Sequence, residues 1–386
     1  MKTRIILLAA LLCAATASVQ SVHATTITVT NTNDSGAGSL RQALADANDG
    51  DTINFNLMYP ATIMLTSGQL VVGKSLTISG PGANNLTVNG NAASRVFYIN
   101  SGKTVTIFGL TITNGHVTDD WGGGVYNDHA TVTISNCALT GNSASFGGGG
   151  IFNSGRNSGS ATLTVINSTL SGNSGVGGAG AGGGINNSGF FGSAALTIIN
   201  STLSGNSGVV FGGGIFNDGN GNSSSATLTI TNSTLSGNSA SLGGDSIYNY
   251  GAFSGRATLT IGNSVLNAGD LGVNISNDSG TVASLGYNLS SDNGGGYLTA
   301  TGDQINTDPI LGPLQNNGGT TLTHALLPGS PAIDAGGPEF DQRGPNFKRV
   351  VNNRIDIGAF ERQPSTHSEP TPTPTPTSIL SAPHDH

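Results

Sequence analysis

Thr227-Leu228-Thr229-Ile230-Thr231-Asn232-Ser233-Thr234-Leu235-Ser236-Gly237-Asn238 decides the fold. Its first four residues alternate polar and apolar, the period of a strand with one buried face. The phrase that follows, N-S-T-L-S-G-N, recurs. Its leading residue stands at Asn136 (as N-C-A-L-T-G-N), Asn167, Asn200, Asn232 and Asn263, at intervals of 31, 33, 32 and 31 residues. A glycine run ending in G-I-F-N or a close variant completes each unit. So short a unit cannot bury its own apolar residues, but stacked copies can, and the near-constant period predicts a solenoid. β-Branched residues dominate and no apolar positions recur at helical spacing. Each unit holds about three short strands between Asn, Gly and Ser corners. The predicted class is all-β, a parallel β-helix in which each strand pairs with its equivalent one coil on.

Equivalent side chains then stack in columns. Leu163, Leu196, Leu228 and Leu259 form one; Ile134, Val165, Ile198, Ile230 and Ile261 a second; Leu139, Leu170, Leu203, Leu235 and Leu266 a third. These form the expected core. The Asn of each N-S-T phrase predicts an asparagine ladder at a bend, each amide bonding its neighbours above and below. Asn142, Asn173, Asn206 and Asn238 suggest a second ladder. The Thr pairs Thr131/Thr133, Thr162/Thr164, Thr227/Thr229 and Thr258/Thr260, with Thr197, face outward as a solvated grid that Ala195 interrupts.

Lys2 and Arg4 precede the apolar run Ile5 to Leu12, and Val22-His23-Ala24 offers a cleavage site, so residues 1–24 read as a secretory signal. Loss of Lys2 and Arg4 takes the net charge from −8 to −10. An acidic, aromatic-poor chain without basic clusters excludes nucleic acid as a partner. No apolar stretch in the mature chain is long enough for a membrane helix. Cys137 is then the one remaining cysteine, so no intramolecular disulfide forms. It replaces the Ser of other coils (Ser168, Ser201, Ser233, Ser264) and reads as a small buried residue.

The ends differ from the middle. Ser39-Leu40-Arg41-Gln42 has the form of a capping box, predicting a helix over about 40–48 whose Leu40, Ala43 and Leu44 seal the first coil. Residues 25–51 form this N-terminal cap and 52–305 the β-helix. Residues 306–362 form an irregular C-terminal cap, in which Asp334, Asp341, Arg343, Arg354, Asp356 and Glu361 form ion pairs. A Pro/Thr-rich tail occupies 363–386, its P-T-P-T-P-T extended and stiff. The terminal His384-Asp385-His386 offers too few ligands for a metal site.

Ile27 to Phe55 resembles the N-terminal region of bacterial surface proteins with a C-S-L-R-E-A motif, with Gly38 and Gln42 in place of its Cys and Glu. The G-G-G-I-F-N coils resemble polymorphic outer-membrane-protein repeats. Leu311 to Gly336, L-G-P-L-Q-N-N-G-G-T-T-L-T-H-A-L-L-P-G-S-P-A-I-D-A-G, resembles a choice-of-anchor Q domain, together with Asp341-Gln342-Arg343-Gly344 and Asp356-Ile357-Gly358-Ala359-Phe360-Glu361. These resemblances imply a right-handed β-helix on a secreted or cell-surface protein. They imply no known reaction and carry no catalytic residues.

No catalytic set or cofactor motif assembles from the residues themselves. From Thr131 to Asp303 the only basic residues are Arg156 and Arg256, and the acids are scattered rather than stacked. Asp119, Asp120, Asp128 and His129, around the first glycine run, are the residues on which a lyase or hydrolase would have to rely. A binding role draws on more of the chain. The loops after each G-I-F-N emerge on one edge and carry Arg156, Phe190, Phe191, Tyr250, Phe253 and Arg256. Beside them Tyr126, Phe152, Phe216 and Tyr248 form an outward aromatic column interrupted by Asn186. Aromatic faces flanked by Arg and Asn suit sugar rings. The expected function is a non-catalytic, adhesin-like or glycan-binding module, its partner a polysaccharide or another cell-envelope component.

Overall fold

The computed structural model describes residues 24–363, except 178–180, 270–271, 337–340, 345–346, 349 and 352–353. The leader up to His23, Asp270 and the tail from Pro364, with His384-Asp385-His386, lie outside the described residues. The chain forms a right-handed parallel β-helix with three sheets. The first has ten strands, from Thr26–Val29 to Thr281–Gly286, and the third has eight, from Leu70–Val72 to Ile275–Asp278. The second, on the path through Ala138–Thr140, Thr169–Ser171 and Thr202–Ser204, continues into short strands such as Ser143–Ala144. Pairing within all three is parallel and, apart from shifts at Ser236/Asn238 and Ile261/Gly262, in register, so Val132, Leu163, Leu196, Leu228 and Leu259 align, as do Leu139, Leu170, Leu203, Leu235 and Leu266. Both columns are buried, in one cluster that runs from Val29 to Leu298. The outward Thr residues of the first sheet remain half-buried or exposed.

The corners are of two kinds. Asn142, Asn173, Asn206 and Asn238 form a buried ladder, each Nδ2 donating to the next Oδ1 at 2.9 Å. A ladder that the sequence reading missed runs through the Asn of G-I-F-N: Asn127, Asn153, Asn187, Asn217, Asn249 and Asn277, linked at 2.6–2.7 Å. The expected amide ladder at Asn136, Asn167, Asn200, Asn232 and Asn263 is corrected. Those residues serve through their backbone, at φ 48–52°. Only Asn263 Nδ2 to Asn232 Oδ1, 2.8 Å, links amides there among the described bonds. Asn adopts this left-handed conformation more readily than other residues with a Cβ. Next to them the backbone N–H groups of Cys137, Ser168, Ser201 and Ser233 donate to the next coil's Ser Oγ at 3.1–3.2 Å. Cys137 is fully buried, and burial pushes its thiol up to about 12.

The capping helix spans Leu40–Asp46, two residues shorter than expected, with Ser39 accepting from Gln42 N at 3.2 Å. The reciprocal half of the box is absent, because the Gln42 side chain donates to Asp46 instead, at 2.7 Å. Leu40, Ala43, Leu44 and Ala47 close the core. Gly38 stands at φ +78° with Thr30 Oγ1 2.3 Å from where a Cβ would be, so the position admits glycine. At the other end Leu298, with half-buried Tyr297, closes the last coil after the turn Gly294–Gly296.

The described residues between 306 and 363 therefore do not form the end cap. They lie along the outer face of the second sheet and touch four successive coils. Thr321 Oγ1 donates to Asn167 O (3.2 Å), and Thr169 Oγ1 to Leu322 O (2.6 Å). Thr202 Oγ1 donates to Gln342 Oε1 (2.6 Å), Ser204 Oγ meets His324 Nε2 (2.9 Å), and Thr234 Oγ1 accepts from Ala359 N (3.1 Å). Asn263 O accepts from Gly358 N at 3.0 Å. Buried Arg343 pairs with Asp341 at 2.6 Å between the rings of Phe347 and Phe360. Asp341 also accepts from Glu361 N at 2.8 Å, which ties the D-Q-R-G and D-I-G-A-F-E stretches together.

Candidate functional site

The third sheet carries the candidate site. Its register aligns Tyr98, Tyr126, Phe152, Asn186, Phe216 and Tyr248 in one outward column. The preceding residues Val125, Ile151, Ile185, Ile215 and Ile247 are the buried inward set. Two residues beyond the aromatic column, Asp128, Ser154, Ser188, Asp218, Tyr250 and Asp278 align as well. Three acids thus share a column, although no two of them are neighbours in it. Loops of unequal length hide this in the sequence. Asp128 and Asp218 are three coils apart, roughly 14 Å at the usual strand spacing.

The aromatic column is not an open stripe. Trp121 stacks on Phe152 at 5.5 Å and meets Phe146 at 4.9 Å. Phe211 meets Tyr248 at 4.3 Å and Phe216 at 6.1 Å. Covering one ring with another buries apolar area in favourable offset and tilted contacts. Phe152, expected at the surface, is consequently fully buried, and Phe216 nearly so.

One coil has no aromatic residue with which to build such a roof. Val176 to Asn187 reads V-G-G-A-G-A-G-G-G-I-N-N, with no aromatic residue. There the column drops to Asn186, with Ala181 beside it. A cleft of about 510 Å³ opens with Trp121 and Phe146 toward the earlier coils and Phe216 and Tyr250 toward the later ones. Strand residues Asn186, Ser188 and Asp218 line its floor, and loop residues Arg156, Phe190 and Asn220 its rim. A second cavity of about 580 Å³, lined by Phe190, Phe191, Asn220, Asn222 and Phe253, adjoins it through the shared Phe190 and Asn220. The loop edge and the sheet face thus form one continuous surface. Tyr248 packs under Phe211 and Arg256 is exposed at the start of Arg256–Gly262, and neither lines the two cavities.

Polar groups in the cleft are prepared but incompletely paired. The Arg156 guanidinium carbon lies 4.9 and 5.1 Å from the ring centres of Trp121 and Phe190. Its Nε is buried with no partner, and so are Asn186 Oδ1 and Asn220 Oδ1. Buried polar atoms normally have partners, so these three leave hydrogen-bonding capacity unused around the cleft. Burial pushes the Asp218 carboxyl above its ordinary range, against bonds from Asn220 N (3.1 Å) and Ser188 Oγ (2.9 Å) and the nearby Arg156 charge.

The Asp119–His129 group is built differently from an acid pair. Asp120 is bound to buried Arg95 at 2.6 Å, and the Arg95 guanidinium lies 4.9 Å from the Tyr126 ring centre. Asp128 accepts from the Tyr98 hydroxyl at 2.6 Å and contacts His129 Nδ1. Asp119 occupies a turn at φ 56°. His129 Nε2 sits 2.7 Å from Arg156 O and so fixes the loop that presents Arg156. The sequence shows no base near this group because Arg95 comes from the coil below, 25 residues before Asp120.

No family model matches the chain, and no curated protein matches it. Among solved structures it is similar to the pectate lyase Pel9A, at 18% identity and a TM-score of 0.41, over 88% of this chain and 96% of that one. That likeness carries no site residue to this chain. No helix of the described residues is long and apolar enough to cross a membrane.

Proposed function

We propose that this protein is a secreted or cell-surface, adhesin-like β-helix that binds glycan without catalysis in the cleft above Asn186. The observation that carries the reading is the set of unpartnered buried atoms of Arg156, Asn186 and Asn220 between aromatic walls. A sugar ring has the complementary form, with apolar faces that pack on aromatic rings and hydroxyl edges that bond polar groups. The setting outside the cell rests on the leader-like residues 1–24 and on the resemblance to choice-of-anchor Q and related surface proteins.

The test is retention of the mature protein on a panel of immobilised polysaccharides, repeated with Asn186→Phe. Phe152 and Phe216 occupy the same column, so this change restores the aromatic of the neighbouring coils and fills the cleft. Retention by the native protein and its loss in the variant are expected. Equal retention by both would remove the cleft from consideration.

A lyase or hydrolase remains the second reading, favoured by Asp218, a buried acid with a raised pKa in the cleft. Against a glycosidase, Asp218 is the one carboxylate among the lining residues, and that chemistry uses an opposed pair. Unsaturated products or new reducing ends, abolished by Asp218→Asn, would establish an enzyme.

A further inference from the structure

We propose that the cleft selects carboxylated sugars, with the carboxylate seated on the Nε edge of Arg156. The inference rests on the glycan-binding reading and names the ligand class for that site. Arg156 packs against Trp121 and Phe190, its guanidinium carbon 4.9 and 5.1 Å from their ring centres, and its edge is the part proposed to meet the ligand. On that edge Nε is buried and unpartnered. An arginine edge offers parallel N–H donors that match the two oxygens of a carboxylate. Arg156 is the one basic residue among those lining the cleft, and it forms no ion pair among the described residues. Asp218 lies near, but it forms no ion pair with Arg156 among the described residues. The other orphans, Asn186 Oδ1 and Asn220 Oδ1, are acceptors and call for donors. One anionic acceptor, hydroxyl donors and an apolar face together describe a sugar acid better than a neutral sugar or an acidic peptide.

His129 supports this arrangement, because its Nε2 contact with Arg156 O at 2.7 Å holds the loop from the coil below. Gly159 allows the approach: a Cβ there would stand 1.7 Å from His129 Cδ2.

The experiment measures retention of the mature protein on alginate and hyaluronan, each against its own carboxyl-esterified form, with dextran and dextran sulfate alongside. Arg156→Gln and Arg156→Lys are run in parallel, with thermal unfolding as the check on folding. The expected result is retention on the free acids and at least about tenfold weaker binding to the esters and in Arg156→Gln, as for loss of a charged hydrogen bond. Arg156→Lys should recover binding only in part, since it keeps the charge and loses the planar fork. Equal retention on acid and ester, or on dextran, overturns the carboxylate proposal while leaving glycan binding in place. Stronger retention on dextran sulfate overturns it in favour of sulfate. Binding of a poly-glutamate control as tight as that of the sugar acids overturns the sugar part. Retention on none of the polymers overturns both this proposal and the glycan reading.

Discussion

Two asparagines in one N-S-T-L-S-G-N phrase have opposite roles. Asn173 is fully buried; it donates to Leu139 O and Asn206 Oδ1, and its own Oδ1 accepts from the Asn142 side chain and backbone. Asn167 contributes a left-handed backbone at φ 49°, and its Oδ1 has no partner. Asn173→Ala should therefore destabilise by about 2–4 kcal/mol, since it strands buried groups on two coils. Asn167→Gly should change stability by less than about 1 kcal/mol, because glycine takes the same φ freely. Chemical denaturation of the pair checks the contrast, and equal losses would refute it. Asp218 offers a pH test. Its folded pKa is raised by burial above the ordinary 3.8, so the native state holds this proton more tightly than the unfolded chain. The stability it contributes is present below 3.8 and is lost as pH rises through the folded value. Asp218→Asn should thus gain thermal stability relative to the native protein as pH rises toward neutrality. A melting difference that stays constant with pH would contradict this.

At the scale of elements, repetition decides what can be read. The Leu and Ile columns were legible because every coil states them again, and the capping helix because Ser39 and the Leu40, Ala43, Leu44 face lie within one short segment. Ser39→Ala should cost about 1 kcal/mol, the usual value of such a cap, measurable by denaturant titration. The lost bond is the one from Gln42 N at 3.2 Å. The cleft was legible only in part. Asn186 showed as an interruption of the aromatic column, but the roof of Trp121, Phe146 and Phe211 depends on how segments before each glycine turn fold over the next strand. Arg95 reaches Asp120, and Asp218 joins the column of Asp128, through pairing across coils of unequal length. Alternation within a strand carries no information about either.

For the whole molecule, the segment from 306 to 363 matters most. Linear order suggested an end cap, and nothing in its composition shows that it turns back along the flank. Gln342 exchanges bonds with Thr202 Oγ1, Thr169 Oγ1, Thr321 Oγ1 and Leu322 O at 2.6–3.2 Å. Gln342→Ala should therefore cost about 1–3 kcal/mol, with the buried Thr residues left short of partners. Differential scanning calorimetry would measure it, and an unchanged melting temperature would show that the flank contact is passive. In a bare solenoid each repeat is stabilised only by its immediate neighbours, so melting can start at one end and travel. Here a single stretch of chain clamps four successive coils, so that coils which are not neighbours are also tied to one another. Fraying from the C-terminal end cannot proceed until that stretch lets go, and heating should produce one sharp cooperative transition where coils alone would melt in succession.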